Sequence, residues 1–219
     1  MRRSTKISAA LFSVGVIVSV VAFFMFYLGS AHTQNAQAQQ SNALLQMMPQ
    51  DVVVGDPNAP VTIIEYSSMS CPHCATFHKT IYPQLKAKYI DTGTAKFTNR
   101  HFPLNEPALR AGMLTLCVDK TQTPRFTAVL FEMQEKWAFT PDFLDNLKRI
   151  ATVGGVTPEQ FDACMANKQL EESLLLSRKQ ATEMLGVNST PMLFVNGQQL
   201  SGHMTMQMFD QAIAKAMGQ

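Results

Sequence analysis

The stretch that decides the fold is Val61-Thr62-Ile63-Ile64-Glu65-Tyr66-Ser67-Ser68-Met69-Ser70-Cys71-Pro72-His73-Cys74. Its first six residues are rich in β-branched side chains and read as a buried strand. Ser67 to Ser70 then lead into two cysteines at CxxC spacing. From Pro72 to about Tyr89 the pattern is helical, with Phe77, Ile81, Leu85 and Tyr89 spaced by four. Pro72 suits a first helical turn, where its missing N–H costs nothing. Pro83 falls within the pattern and should bend or interrupt that helix. Cys71 and Cys74 therefore sit where a strand turns into a helix. At a helix start, free backbone N–H groups and the helix dipole favour an anion. A thiolate is the reactive form of cysteine, so this placement lowers the pKa of Cys71 and raises its reactivity. His73 adds a proton or a positive charge beside it. Cys71 is the expected nucleophile and Cys74 the more buried, resolving thiol. A stabilised thiolate favours the dithiol over the disulfide. Each pKa unit below ambient pH is worth about 1.4 kcal/mol, or roughly 30 mV for a two-electron couple.

A CxxC pair has other readings. It is half of a zinc site, with His78 as a third ligand, but no second CxxC or His pair lies downstream at ligand spacing. A purely structural bridge would close so short a loop that it would stabilise little.

Working outward, Val52-Val53-Val54 is a short strand candidate, and Gly55-Asp56-Pro57-Asn58-Ala59-Pro60 is dense in turn formers. Ala95 to Phe102 alternates and reads as the next strand. Candidate helices follow at 106–119, 124–135, 140–151, 158–165 and 168–185. Thr157-Pro158-Glu159-Gln160 has the form of a capped helix start. Strand signals return at Met192-Leu193-Phe194-Val195. Asn196-Gly197 is a two-residue hairpin turn, Gln198 to Ser201 completes the hairpin, and Thr205 to Met217 is a last amphipathic helix. The order is β-α-β, a helical block, then β-β-α. Ser189-Thr190-Pro191 stands immediately before the hairpin.

Of the 219 residues, 46% are hydrophobic and 16% charged, which suits one globular domain with an extra segment. Arg2, Arg3 and Lys6 supply three of the 18 basic residues, leaving 15 against 16 acidic ones. The rest of the chain thus carries no basic excess of the kind that nucleic-acid binding needs. Ile7 to Leu28 is apolar apart from small residues, and no charged residue occurs between Lys6 and Asp51. A basic start before an apolar run is an export signal. Residues 1–30 are either a cleaved signal, with Ala36-Gln37-Ala38 as a cleavage site, or an uncleaved membrane anchor. Positive charge ahead of the segment places the rest of the chain outside the cytoplasm. Residues 31–50, rich in Gln and Asn, read as a flexible spacer, and the folded domain spans 51–219.

Together these features resemble the thioredoxin superfamily and, within it, the DsbA-like thiol:disulfide oxidoreductases. The marks are Gly55 to Pro60, Glu65 six residues before the first cysteine, and Cys71-Pro72-His73-Cys74. They continue with Arg100-His101-Phe102-Pro103-Leu104, and with Gly186-Val187-Asn188-Ser189-Thr190-Pro191 leading to Phe194-Val195-Asn196-Gly197. The resemblance implies an α/β, thioredoxin-like fold with an inserted helical domain over about 106–186. It implies a cis Thr190–Pro191 bond beside Cys71, with Thr190 binding an extended substrate through its backbone. It implies that Glu65 is a buried acid below the disulfide that exchanges a proton with Cys74. The activity implied is the introduction of disulfide bonds into exported proteins in the periplasm, with a membrane DsbB-type partner to reoxidise the enzyme, no cofactor and a monomeric chain. Thr190 departs from the valine of the best-known member and also occurs in isomerases and reductases, so that direction stays open, as does a metal-binding envelope module. The further pair Cys117 and Cys164 resembles one carried by some alphaproteobacterial DsbA-like proteins. It is either a structural disulfide, contributing roughly 4 kcal/mol in the chain-entropy picture, or two buried thiols.

Among the 14 Met, Met192, Met204, Met206 and Met208 cluster near the hairpin. They read either as an adaptable groove for unfolded clients or as core filler. His101 and His203 read as structural or solvated.

Overall fold

In the computed structural model, residues 39–200 and 202–219 are described. The export segment 1–30, most of the spacer and Ser201 lie outside them. The chain divides into two units, 1–42 and 43–219, and the second holds the fold. Among the described residues no helix is long and apolar enough to cross a membrane.

The order is β1 (Val61–Ser67), α1 (Pro72–Thr80), α2 (Tyr82–Leu85), β2 (Ala95–His101), α3 (Glu106–Cys117) and α4 (Thr123–Glu132). It continues with α5 (Phe143–Val153), α6 (Pro158–Met165), α7 (Lys168–Leu185), β3 (Met192–Val195), β4 (Gln198–Leu200) and α8 (Met206–Ala216). The four strands form one sheet in the order β2-β1-β3-β4. β1 pairs parallel with β2, from Val61 opposite Ala95 to Ser67 opposite His101. It pairs antiparallel with β3, and β3 with β4. A parallel pair needs a crossover, and α1 supplies it. As a central strand, β1 is buried along its whole length on both faces.

Val61, Ile63, Phe97, Leu193 and Val195 pack one sheet face against Phe77, Leu85, Phe209 and Ile213 of the flanking helices. Ile64, Tyr66, Met192 and Phe194 pack the other face against Ala181 of α7 and Val187. Each such side chain contributes roughly 1.5–3 kcal/mol by leaving water. Helices α3 to α7 form the expected insertion, centred on Phe126, Leu130, Phe131, Trp137 and Leu147. Met69, Cys71 and Cys74 belong to that same cluster. The motif therefore lies at the seam between sheet and insertion.

Local signals explain the element ends. Thr157 and Gln160 cap α6 reciprocally. Asn196 and Gly197 both take positive φ, as the hairpin turn requires. Gly55 needs to be glycine twice over: its φ is +97°, and a Cβ there would lie 2.7 Å from Ile90 Cγ2.

Three expectations need correction. The pattern over 72–89 is interrupted ahead of Pro83, as that residue led one to expect, and restarts as the short α2, but residues 86–90 then form a π turn that the spacing did not give. Val52–Val54 is not a strand: only Val54 bridges, antiparallel, to Phe97. The end of the expected spacer is held against the sheet, because Arg100 donates to the carbonyls of Leu44 and Gln46 and to both carboxylate oxygens of Asp51. Arg100 and Asp51 are each 4% exposed at the side chain, so this is a buried ion pair.

Candidate active site

The site is built from the turn that joins β1 to α1. Cys71 N–H donates to the Ser68 carbonyl at 3.0 Å and closes that turn. Ser70 Oγ donates to Asn105 Oδ1 at 2.9 Å, which fixes the turn to the cap of α3. Gln134, buried in the 3-10 turn just after α4, donates from Nε2 to the carbonyls of Met69 at 2.8 Å and Cys71 at 3.0 Å.

Cys71 is the N-cap of α1, with extended backbone, and Pro72 opens the helix. The free N–H groups of a first helical turn favour an anion beside them, and the nearest are those two and three positions on. Here those belong to His73 and Cys74, and both help lower the Cys71 pKa. The largest cause is the Cys74 thiol, which hydrogen-bonds to the Cys71 sulfur; burial opposes it, and Thr190 assists. The net result is a Cys71 thiol lowered to about 5. Cys74 is fully buried, and burial, the Cys71 contact and the nearby Glu65 charge push its thiol well above the usual range. The two sulfurs therefore differ sharply: one ionises readily, and the other holds its proton. Both are reduced in this structure. The His73 side chain is exposed, so its contribution to Cys71 comes from its backbone.

Thr190 and Pro191 are joined by a cis peptide bond. The Thr190 carbonyl accepts from Cys71 Sγ at 3.3 Å, across 119 residues of sequence. Thr190 Oγ1 is buried with no hydrogen-bond partner among the described residues, so it is free to donate to the sulfur when that ionises.

Glu65 is completely buried. Its Oε2 accepts from His78 at 2.8 Å and from Asn99 Nδ2 at 2.8 Å. The His78 ring is stacked on Phe131, with centroids 4.3 Å apart. His78 is thus engaged with a carboxylate rather than turned toward the cysteines as a zinc ligand. Among the described residues, no three His, Cys, Asp or Glu side chains group as a metal site would need.

The structure brings Cys71, Pro72, Cys74, Thr190 and Pro191 to one place, with Glu65 buried beneath. Sequence reading missed Gln134 and Asn99, which act across 63 and 34 residues of chain and leave no local signal. His78 did leave one: it follows Cys74 by four residues, one turn on along the same helix face. Cys117 and Cys164 are joined as a disulfide that ties α3 to α6. Met204, Met206 and Met208 are half-buried against the core of the sheet, which is the filler arrangement. His101 is buried, hydrogen-bonded to Thr115, and lowered to about 4 by burial, so it stays neutral.

Comparison with known proteins agrees with this geometry. The family described as thioredoxin matches residues 47–215. A Rickettsia felis protein, provisionally named a protein-disulfide oxidoreductase, is 31% identical over 86% of this chain. The chain spans 68% of that relative's length, and 64% of a similarly named one from Rickettsia bellii that is 34% identical over 76% of this chain. The crystal structure of Wolbachia pipientis alpha-DsbA1 superposes with a TM-score of 0.76 at 32% identity, covering 81% of this chain and 96% of that one.

Proposed function

The chain belongs to the DsbA-like thiol:disulfide oxidoreductases of the thioredoxin family, and on that premise we propose that it oxidises thiols in exported proteins by donating a Cys71–Cys74 disulfide. The observation that carries the proposal is the pair of unequal sulfurs, with Cys71 lowered to about 5 beneath the Thr190 carbonyl.

A client thiolate attacks Cys71 Sγ, and the bond to Cys74 breaks. The electron pair leaves on Cys74 Sγ, which takes a proton from Glu65. A second client thiolate then attacks the client sulfur of the mixed disulfide. Cys71 leaves as the thiolate that the helix start stabilises, the client gains a disulfide, and the enzyme is reduced by two electrons. The backbone at Thr190 aligns the client as an added strand. Pro72 keeps an N–H out of the first turn, and His73 stands exposed at the rim, where it meets the client.

The proposed setting is the periplasm, with residues 1–30 as a cleaved signal or an inner-membrane tether and 51–219 as the catalytic domain. A DsbB-type membrane protein restores the disulfide, and the Cys117–Cys164 bridge is structural. Thr190 favours a second reading, as an isomerase or reductase.

Redox titration against glutathione tests the direction. At pH 7 a thiol near 5 makes the couple roughly 60 mV more oxidising than an unshifted one. The expected potential lies well above about −270 mV, the value for thioredoxin. A potential as low as that would overturn the oxidase reading. Cys71→Ser should abolish exchange, and retained activity would reject the nucleophile.

A further inference from the structure

Cys74 cannot leave as a free thiolate in a fully buried site, so each turnover must move a proton between solvent and the sulfur. Glu65 is the buried acid beside it, but Glu65 is itself sealed from water. A cavity of about 510 Å³ supplies the missing connection. Its walls include His78 and Asn99, the two residues that hold Glu65 Oε2. Its walls also include Gln50 and Lys120, which are exposed, so the cavity reaches solvent.

Hydrogen-bond accounting fixes the roles. Asn99 Nδ2 has two protons, and they go to Glu65 Oε2 at 2.8 Å and to Ser67 Oγ at 2.6 Å. None is left for His78 Nε2, which lies 3.5 Å away. An ionised carboxylate only accepts, so Nε2–H of His78 must be the donor to Glu65. That leaves Nδ1 to trade a proton with the cavity. Glu65 Oε1 has no partner among the described residues and is the oxygen free to carry a proton.

We propose that His78 is the proton relay of this enzyme, a positioning residue that acts through Glu65 and connects the buried Cys74 to the solvent-reaching cavity. The inference rests on the disulfide-exchange reading and deepens it. As the Cys71–Cys74 bond breaks, Glu65 gives its proton to Cys74 Sγ and becomes a carboxylate. His78 passes its Nε2 proton to Glu65 Oε2 and takes one at Nδ1 from cavity water. One proton enters from solvent, and reoxidation runs the same path backward. His78 is fixed for this between Phe131, at 4.3 Å, and Tyr82, at 5.0 Å. The titratable and charged groups facing it are Glu65 from β1, Tyr82 from α2, and Asp51, Arg100, His101 and Lys120 around the cavity. Tyr82 is raised by burial and the Glu65 charge, His101 is held neutral, and Arg100 pairs with Asp51. His78 is therefore the group placed between Glu65 and the cavity.

The test uses the full chain, oxidised, reacting in single turnover with a reduced dithiol peptide between pH 5 and 9. His78→Gln keeps an N–H to Glu65 but cannot titrate. It should slow the reaction by about tenfold or more, a low figure for lost acid–base help, and flatten the pH profile. His78→Ala opens space beside the cavity, and added imidazoles should restore the rate in order of their pKa. A His78→Gln enzyme with wild-type rate and profile would overturn the relay, as would slowing with no imidazole rescue, since both leave only a structural role. Wild-type exchange that is lost in Cys71→Ser shows that the parent reading stands. If the wild type reduces disulfides instead of forming them, the direction fails, and the relay is read in that reverse step.

Discussion

At the scale of the residue, the account depends on one sulfur at the N-terminal edge of a helix. Its ionisation couples to stability with a definite sign. The Cys71 pKa is depressed on folding, from 9.0 to about 5. Its stabilisation of the reduced fold is complete above the unfolded value and is lost as pH falls through about 5. At pH 7 it amounts to about 3 kcal/mol, and the oxidised form, having no thiolate, lacks it. Denaturant melts of the reduced protein should therefore lose about that much between pH 7 and pH 4 relative to the oxidised protein. A difference between the two forms that does not change with pH would count against the thiolate. Thr190→Val removes the unpartnered hydroxyl beside this sulfur, and should raise the Cys71 pKa and make the couple less oxidising. An unchanged thiolate absorbance titration would show that the hydroxyl plays no part. The place of Cys71 and Cys74 at a strand-to-helix junction was legible from residue type and spacing, while Glu65 entered only with the family resemblance. Asn99 and His78 were not read as a pair with Glu65, because Asn99 meets it through the register of β2 against β1 and His78 through the way α1 packs back on β1.

At the scale of the element, the junction is held from outside by the insertion. Gln134 closes α4 over the loop and uses both protons of its amide on the carbonyls of Met69 and Cys71. Gln134→Ala leaves two buried carbonyls without that donor and should cost about 1–3 kcal/mol. It should also slow exchange by loosening the loop. Chemical denaturation with a parallel activity assay would check both, and a neutral result would mean that the loop is held by its own turn. The helices 158–165 and 168–185 were legible to the residue, because Thr157 and Asn167 cap them with side-chain oxygens. The break at Pro83 was legible too, but the π turn over 86–90 was not, since a helical spacing of apolar residues continues through it.

At the scale of the whole molecule, the catalytic turn is shared between a four-stranded sheet and a helical insertion, and the sheet is strapped by residues 44–51. Sequence reading gave the β-α-β, insertion, β-β-α order, because hydrophobic period and turn chemistry are local. It placed the start of the fold too late, because an uncharged polar run looks like a spacer until Arg100 is seen to grip its backbone from β2. Arg100→Ala would strand Asp51 as a buried, unpaired carboxylate and should cost about 3–5 kcal/mol. A loss below about 1 kcal/mol in equilibrium unfolding would show that the strap contributes little.

The most direct measurement is the ionisation of Cys71 itself, followed by thiolate absorbance or by alkylation rate on the reduced protein from pH 3 to pH 10. The geometry predicts a midpoint near 5 that vanishes in Cys71→Ser. A midpoint between about 8 and 9, the range of an ordinary peptide thiol, would contradict the account.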